Sequence, residues 1–287
     1  MTLSNYKLIP DISNIVELLR YRAASTPDKT AFAFLSDGET IGTSLTFQEL
    51  DQRAQAIAVK LLTHSRPGDR VLLAYPPGLE FVPAFFGCLY AGIVAVPVQP
   101  PVRNQVNEKW LEIAFSSGCK LVLTTSEFYK KPIKNMICSL ENEASKIRWL
   151  STDDTGFDTQ VQLDESTISG DSLAFLQYTS GSTTNPKGVM ITHHNLLQNA
   201  AIIQEGFQLD SDSNAFSWLP VYHDMGLMGG IIQPIYLGLT MTLMSPLLFL
   251  QKPLRWLRAI SRYRSVISGA PNFAYDLCVQ KIKPEQL

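Results

Sequence analysis

Residues 173–191 read LAFLQYTSGSTTNPKGVMI: two apolar runs joined by a turn that is rich in hydroxyls, bracketed by glycine and closed by one lysine. The first run, 173–176, is short enough to be a buried strand, and the second, 189–191, follows the turn. A flexible Ser/Thr/Gly linker is rarely bounded so tightly by two such runs, or ended by Pro-Lys-Gly. The turn therefore belongs at the end of a sheet, and its composition suits a polyanion. Gly181 and Gly188 let the backbone approach a ligand. Consecutive N–H groups in such a turn form an anion-binding concavity. The hydroxyls of Thr179, Ser180, Ser182, Thr183 and Thr184 can donate to phosphate oxygens. Pro186 fixes φ just before Lys187, which adds a compact positive charge. The order Lys187, Gly188, Val189 excludes a Walker A loop, which needs a hydroxyl residue after its lysine.

The string TSGSTTNPKG resembles the phosphate-binding loop of adenylate-forming enzymes, a superfamily that includes acyl-CoA synthetases, luciferases, peptide-synthetase adenylation domains and fatty acyl-AMP ligases. The common family form has glycine where this chain has Thr184.

The flanking sequence is a succession of strand and helix patterns. Apolar strands are expected at 31–35, 71–74, 93–98, 121–124, 147–150, 215–219, 239–244 and 266–268. Between them lie helical spacings at 11–24, 46–61, 80–91, 104–117, 195–206, 225–236, 253–263 and 272–282. Thr46 and Glu49 form a capping box, and Gly118 stands where a helix should stop. Short strand–helix–strand links predict an α/β fold: layered, mostly parallel sheets with helices on both faces. Residues 151–171 are polar and acidic, a surface connection where a subdomain boundary is expected.

A second informative stretch, LPVYHDMGL, places His223 and Asp224 just past a predicted strand. In open α/β sheets ligands bind beyond the carboxyl ends of strands. Taken alone, the His–Asp pair is better read as a helix cap, since Asp is a common cap residue. The wording of this stretch, and of SGAPNFAYDLC at 268–278, is similar to the fatty acyl-AMP ligases. That resemblance implies roles position by position. Thr179, Ser180, Gly181, Ser182, Thr183, Thr184, Lys187 and Gly188 would hold the ATP phosphates, with Mg²⁺ near Thr183 through ATP. Lys187 and His223 would be catalytic, with His223 and Asp224 near the reacting carboxylate. Gly229, Gly230, Ile231, Pro271, Asn272, Phe273 and Tyr275 would lie near the acyl channel. His193 and His194, at a strand-to-helix turn, are read as structural caps.

Composition narrows the alternatives. A net charge of −2 and no long basic run give no electrostatic reason for nucleic acid or an anionic membrane. Cys88, Cys119, Cys138 and Cys278 are far apart with no zinc spacing, so they read as reduced core thiols of a cytoplasmic protein. The uncharged stretches 81–102 and 225–251 are too interrupted by Pro and Gly for spanning helices; each is expected to be a buried helix running into a buried strand.

The reaction implied is attack of a fatty acid carboxylate on the α-phosphorus of ATP, giving acyl-adenylate and pyrophosphate. The main task is to bring two anions together. Two unit charges about 4 Å apart repel by about 1 kcal/mol in water and about 4 kcal/mol at an effective dielectric of about 20. The resemblance implies transfer of the acyl group to a carrier protein or polyketide synthase. An acyl-CoA synthetase, or a remnant with only weak nucleotide or lipid binding, stays open. The family's adenine-contacting, acidic and ribose-binding segments and its small C-terminal domain are not found in these 287 residues. The expectations are therefore a partial N-terminal adenylation domain, little turnover from this chain alone, and an exposed edge or apolar patch near Val266.

Overall fold

The computed structural model describes residues 12–101, 108–130, 147–154, 163, 168–179, 186–210 and 213–286. Among them, ten strands form two sheets. The six-stranded sheet has the order β6-β5-β3-β4-β7-β8, built from β3 (Arg70–Leu73), β4 (Val94–Pro97), β5 (Leu121–Thr124), β6 (Arg148–Ser151), β7 (Leu173–Thr179) and β8 (Lys187–Thr192). The four-stranded sheet has the order β2-β1-β10-β9, from β1 (Thr30–Leu35), β2 (Ile41–Thr46), β9 (Asn214–Ser217) and β10 (Thr240–Met244). Pairing is parallel except for β1 with β2 and β7 with β8.

The alternation of side chains along each strand sorts the apolar residues into three cores. Val71 and Leu73 of β3, with Leu121 and Leu123 of β5, face the central core. That core also takes α1 (Ile15–Ser25), α2 (Phe47–Leu62), α3 (Phe81–Tyr90) and the inner residues of β1 and β10. Leu72, Val122 and Leu176 point the other way, onto Trp110, Ile113 and Ala114 of α4 (Glu108–Ser117). Leu35, Phe216 and Met244 form the outer core of the small sheet with Phe249 of α9 (Pro246–Gln251), Trp256 of α10 (Leu254–Tyr263) and Ala274 of α11 (Asn272–Lys281). The order across the described residues is helix, six-stranded sheet, helices, four-stranded sheet, helices. The short α5 (Ser126–Phe128) follows β5.

Local signals explain most boundaries. The Thr46–Glu49 capping box opens α2, with Glu49 N to Thr46 Oγ1 at 3.1 Å and Thr46 N to Glu49 Oε2 at 2.8 Å. Caps of this kind contribute about 1 kcal/mol. Gly118 follows α4 at φ +70, the left-handed conformation that a glycine adopts without strain. The 81–102 stretch is α3 followed by β4. The 225–251 stretch holds α7 (Asp224–Leu227), a π-helical turn (Met228–Ile232), α8 (Gln233–Leu237), β10 and α9. Among the described residues no helix is long and apolar enough to cross a membrane.

Two elements carry no sequence signal and two expectations are corrected. Strand β2 was unforeseen because its residues 41–44 are exposed, so no apolar run marks it. Helix α9 was likewise missed. The strand expected at 266–268 is a single bridge between Ile267 and Ala215, with Val266 72% exposed beside edge strand β9. The histidines are not caps: Thr192 caps α6 (His193–Phe207) by a capping box with Asn195. His193 and His194 instead donate their backbone N–H groups to Ser172 O and Gly170 O. Cys88 and Cys119 are buried free thiols, Cys278 is half-buried and Cys138 lies outside the described residues. Burial pushes the Cys119 thiol up to about 12. The boundary expected at 151–171 falls largely outside the described residues.

His193 is 1% exposed and its Nδ1 has no hydrogen-bond partner among the described residues. Burial lowers its pKa to about 4, against a smaller opposing effect of Glu17. The unfolded chain therefore binds a proton near pH 6.5 that the folded one refuses until near pH 4. Stability is complete above about pH 6.5 and falls as pH drops toward 4, by up to about 3 kcal/mol. In urea titrations across that range His193→Leu should flatten this slope; an unchanged slope would assign the acid loss to other groups.

Candidate active site

The carboxyl ends of β4, β7 and β9 open on one side of the molecule, the place where parallel sheets offer a crevice. A cleft of about 380 Å³ lies there. One wall is the run Pro97, Val98, Gln99, Pro100, Pro101 that leaves β4, and another is Lys109, Trp110 and Ile113 from the first turns of α4. Gln177, Tyr178 and Thr179 from the end of β7 form the floor, facing Tyr222, His223 and Asp224.

The last three come from the turn between β9 and α7. Ser217 Oγ accepts the Leu219 N–H at 3.2 Å, and His223 N–H reaches Pro220 O at 3.1 Å. His223 then occupies the N-cap position of α7 with extended backbone, and its carbonyl accepts Leu227 N–H at 2.8 Å. No side-chain cap bond is made there; Asp224 Oδ1 accepts its neighbour's N–H, from Met225, at 2.7 Å. The His–Asp pair is thus exposed, with the His223 ring centroid 4.9 Å from that of Tyr222. Burial raises the Tyr222 phenol above its ordinary range, keeping it a neutral donor.

The hairpin carrying the hydroxyl-rich turn is built from β7 and β8 in antiparallel register, with Thr179 opposite Lys187 and Tyr178 opposite Gly188. The Tyr178 ring lies over Gly188, where an added Cβ would sit 3.0 Å from Tyr178 Cζ. Its hydroxyl meets Ser116 Oγ at 2.9 Å, which ties the hairpin base to α4.

The expected site residues divide as follows. Thr179, His223 and Asp224 meet in the cleft. Lys187 and Gly188 lie one strand over, exposed, at the base of the turn. Ser180, Gly181, Ser182, Thr183 and Thr184 lie outside the described residues, and so does the Mg²⁺ position assigned to Thr183. Gly230 and Ile231 are buried, Gly230 packed toward Ser217 and Leu243, while Gly229 is exposed. Pro271, Asn272, Phe273 and Tyr275 stand exposed at the start of α11, away from the cleft lining, with Phe273 edge-on to Trp218 and Tyr275 tilted on Trp256. Sequence reasoning missed Gln177, Tyr222, Trp110 and the proline run. The signal for the last was present: Pro97 lies near the end of a predicted buried strand, and Pro100 and Pro101 follow it closely. Among the described residues no three His, Cys, Asp or Glu side chains gather into a metal site.

Two α/β layers with a crevice at the strand ends, lined there by the end of β7, have the arrangement in which open α/β sheets bind ligands such as nucleotides. The family model described as "AMP-binding enzyme" matches residues 19–286, and the chain belongs to that family. It is 42% identical over 280 residues to the medium-chain-fatty-acid–acyl-carrier-protein ligase JamA of Moorena producens, covering 96% of this chain and 47% of that protein. It is 33% identical over 318 residues to the corresponding ligase TtuA of Teredinibacter turnerae, covering 99% of this chain and 50% of TtuA. Among solved structures, the L. pneumophila fatty acyl-adenylate ligase in complex with acyl adenylate and pyrophosphate overlays with TM-score 0.87 at 42% identity, over 96% of this chain and 47% of that one. The chain spans about half the length of the curated relatives it matches.

Proposed function

We propose that this chain forms the part of a fatty acyl-AMP ligase that receives the triphosphate of ATP and the carboxylate of a fatty acid. The acid's oxygen attacks the α-phosphorus, the bond to the β-phosphate oxygen breaks, and acyl-adenylate and pyrophosphate result. The acyl group is then passed to an acyl carrier protein or polyketide synthase. The observation that carries the reading is the cleft in which the end of β7, bearing Thr179 and leading into the hydroxyl-rich turn, faces His223 and Asp224. The similarity to carrier-protein ligases supports the choice of acceptor over coenzyme A.

In this reading the hydroxyls at 179–184 and the Lys187 ammonium take the phosphate oxygens, and His223 donates to the carboxylate or α-phosphate as charge shifts between them. Oriented donors in a partly closed cleft are worth more than the same groups in water. Gly229, Gly230, Ile231 and the exposed rings of Phe273 and Tyr275 are assigned to the acyl channel. Mg²⁺, carried in with ATP, would supply further charge neutralisation.

The test is ATP–pyrophosphate exchange by the full-length protein with saturated acids of graded length, followed by trapping of the product with carrier protein or coenzyme A. An acyl-carrier product supports the reading, and a CoA thioester selects the acyl-CoA synthetase instead. Lys187→Ala should lower adenylate formation about 10²-fold, the scale for losing one oriented charge-stabilising group. An undiminished rate of pyrophosphate release would remove Lys187 from the mechanism.

A further inference from the structure

Gln177 is 8% exposed, lies two residues before Thr179 on β7, and lines the cleft. Its Nε2 donates to Tyr222 O at 3.3 Å, 45 residues away in sequence. A backbone carbonyl only accepts, so the amide must present its NH₂ to Tyr222 and its oxygen elsewhere. That oxygen, Oε1, is buried and has no hydrogen-bond partner among the described residues. Burying a polar atom without a partner costs stability, and such groups ask for an explanation.

We propose that Gln177 is a positioning residue of the cleft: its NH₂ holds the Tyr222 carbonyl, and with it the His223 turn, against the end of β7, while Oε1 waits for an N–H or O–H donor brought by the bound nucleotide. β7 belongs to the six-stranded sheet and Tyr222 follows β9 of the four-stranded one, so the contact joins the two sheets at the site. The carboxylate and the α-phosphate of an acyl-adenylate carry no such donor at neutral pH, whereas its ribose hydroxyls and adenine amine do. The acceptor therefore favours an adenylate over a bare polyanion. The second half of this inference rests on the adenylating function proposed above; the first does not.

The experiment compares wild type with Gln177→Met, similar in length and lacking both polar atoms, and with Gln177→Glu, which keeps an acceptor and loses the donor. Ring signals of the four histidines are followed by NMR without ligand. Binding of a fatty acyl-sulfamoyladenosine, a stable acyl-adenylate mimic, and of pyrophosphate is measured by calorimetry. In both variants the His223 signals should move while those of His64, His193 and His194 hold. Gln177→Met should melt at or above the wild-type midpoint yet bind the mimic about tenfold more weakly, equivalent to about 1.4 kcal/mol, with pyrophosphate affected less. A merely structural glutamine would give the reverse: a lower midpoint and unchanged affinity. That result, or unmoved His223 signals, overturns the proposal. If the full-length wild type fails to bind the mimic, the adenylating function fails, and the histidine signals still decide whether Gln177 positions the turn.

Discussion

Gly226→Ala should collapse both the stability of the His223 turn and its ligand binding. A Cβ at this position would lie 2.1 Å from Pro220 O, 2.7 Å from the carbonyl carbon of Pro220 and 3.3 Å from that of Leu219. These are backbone atoms, so no rotamer change relieves the contact. The same Pro220 carbonyl accepts the His223 N–H at 3.1 Å, so pushing it aside also breaks the bond that shapes the turn. Overpacking of a close-packed site costs about 1–3 kcal/mol, and a backbone clash this short belongs at the upper end. Urea denaturation should show a loss of about 3 kcal/mol, and calorimetry no detectable binding of the acyl-adenylate mimic. A stability change below about 1 kcal/mol with retained binding would mean that the turn repacks cheaply and that His223 does not depend on it.

Trp218→Ala, just past β9 where the same turn begins, should be as damaging. The indole is 3% exposed and stacks on Phe249 with centroids 3.9 Å apart and planes 11° from parallel. Trp256 and Phe273 meet it edge-on at 5.8 and 6.2 Å. Removing it leaves a cavity beneath β9, α9, α10 and α11 together, and a Trp→Ala change in such a core costs about 3–5 kcal/mol. Trp218→Phe should cost far less, because the stack survives and the indole N–H has no hydrogen-bond partner among the described residues. Equal losses in the two variants by urea titration would show that an interaction of the N–H, not ring packing, holds the cluster.

The contrast between these positions and the hairpin shows what local sequence conveys. The Thr46–Glu49 box, the Gly118 stop and the apolar runs of β3, β5 and β7 are short-range signals, and each produced the expected element. Strand β2 was silent because an edge strand with one solvated side needs no apolar run. The histidines at the start of α6 misled for a different reason. Thr192 took the cap, and the fold drew His193 into the interior, where its ring is held neutral by burial.

By itself the sequence determined the α/β layering, the hairpin with its hydroxyl-rich turn, and membership of the AMP-binding family, because strand and helix periodicity and turn chemistry are properties of contiguous residues. Only the tertiary structure decided that the proline run after β4, Trp110 of α4, Gln177 of β7 and His223 beyond β9 face one cleft. Those residues are brought together by parallel strand order and by which face of each sheet the core occupies. Such pairings act across the whole chain, and no local pattern encodes them.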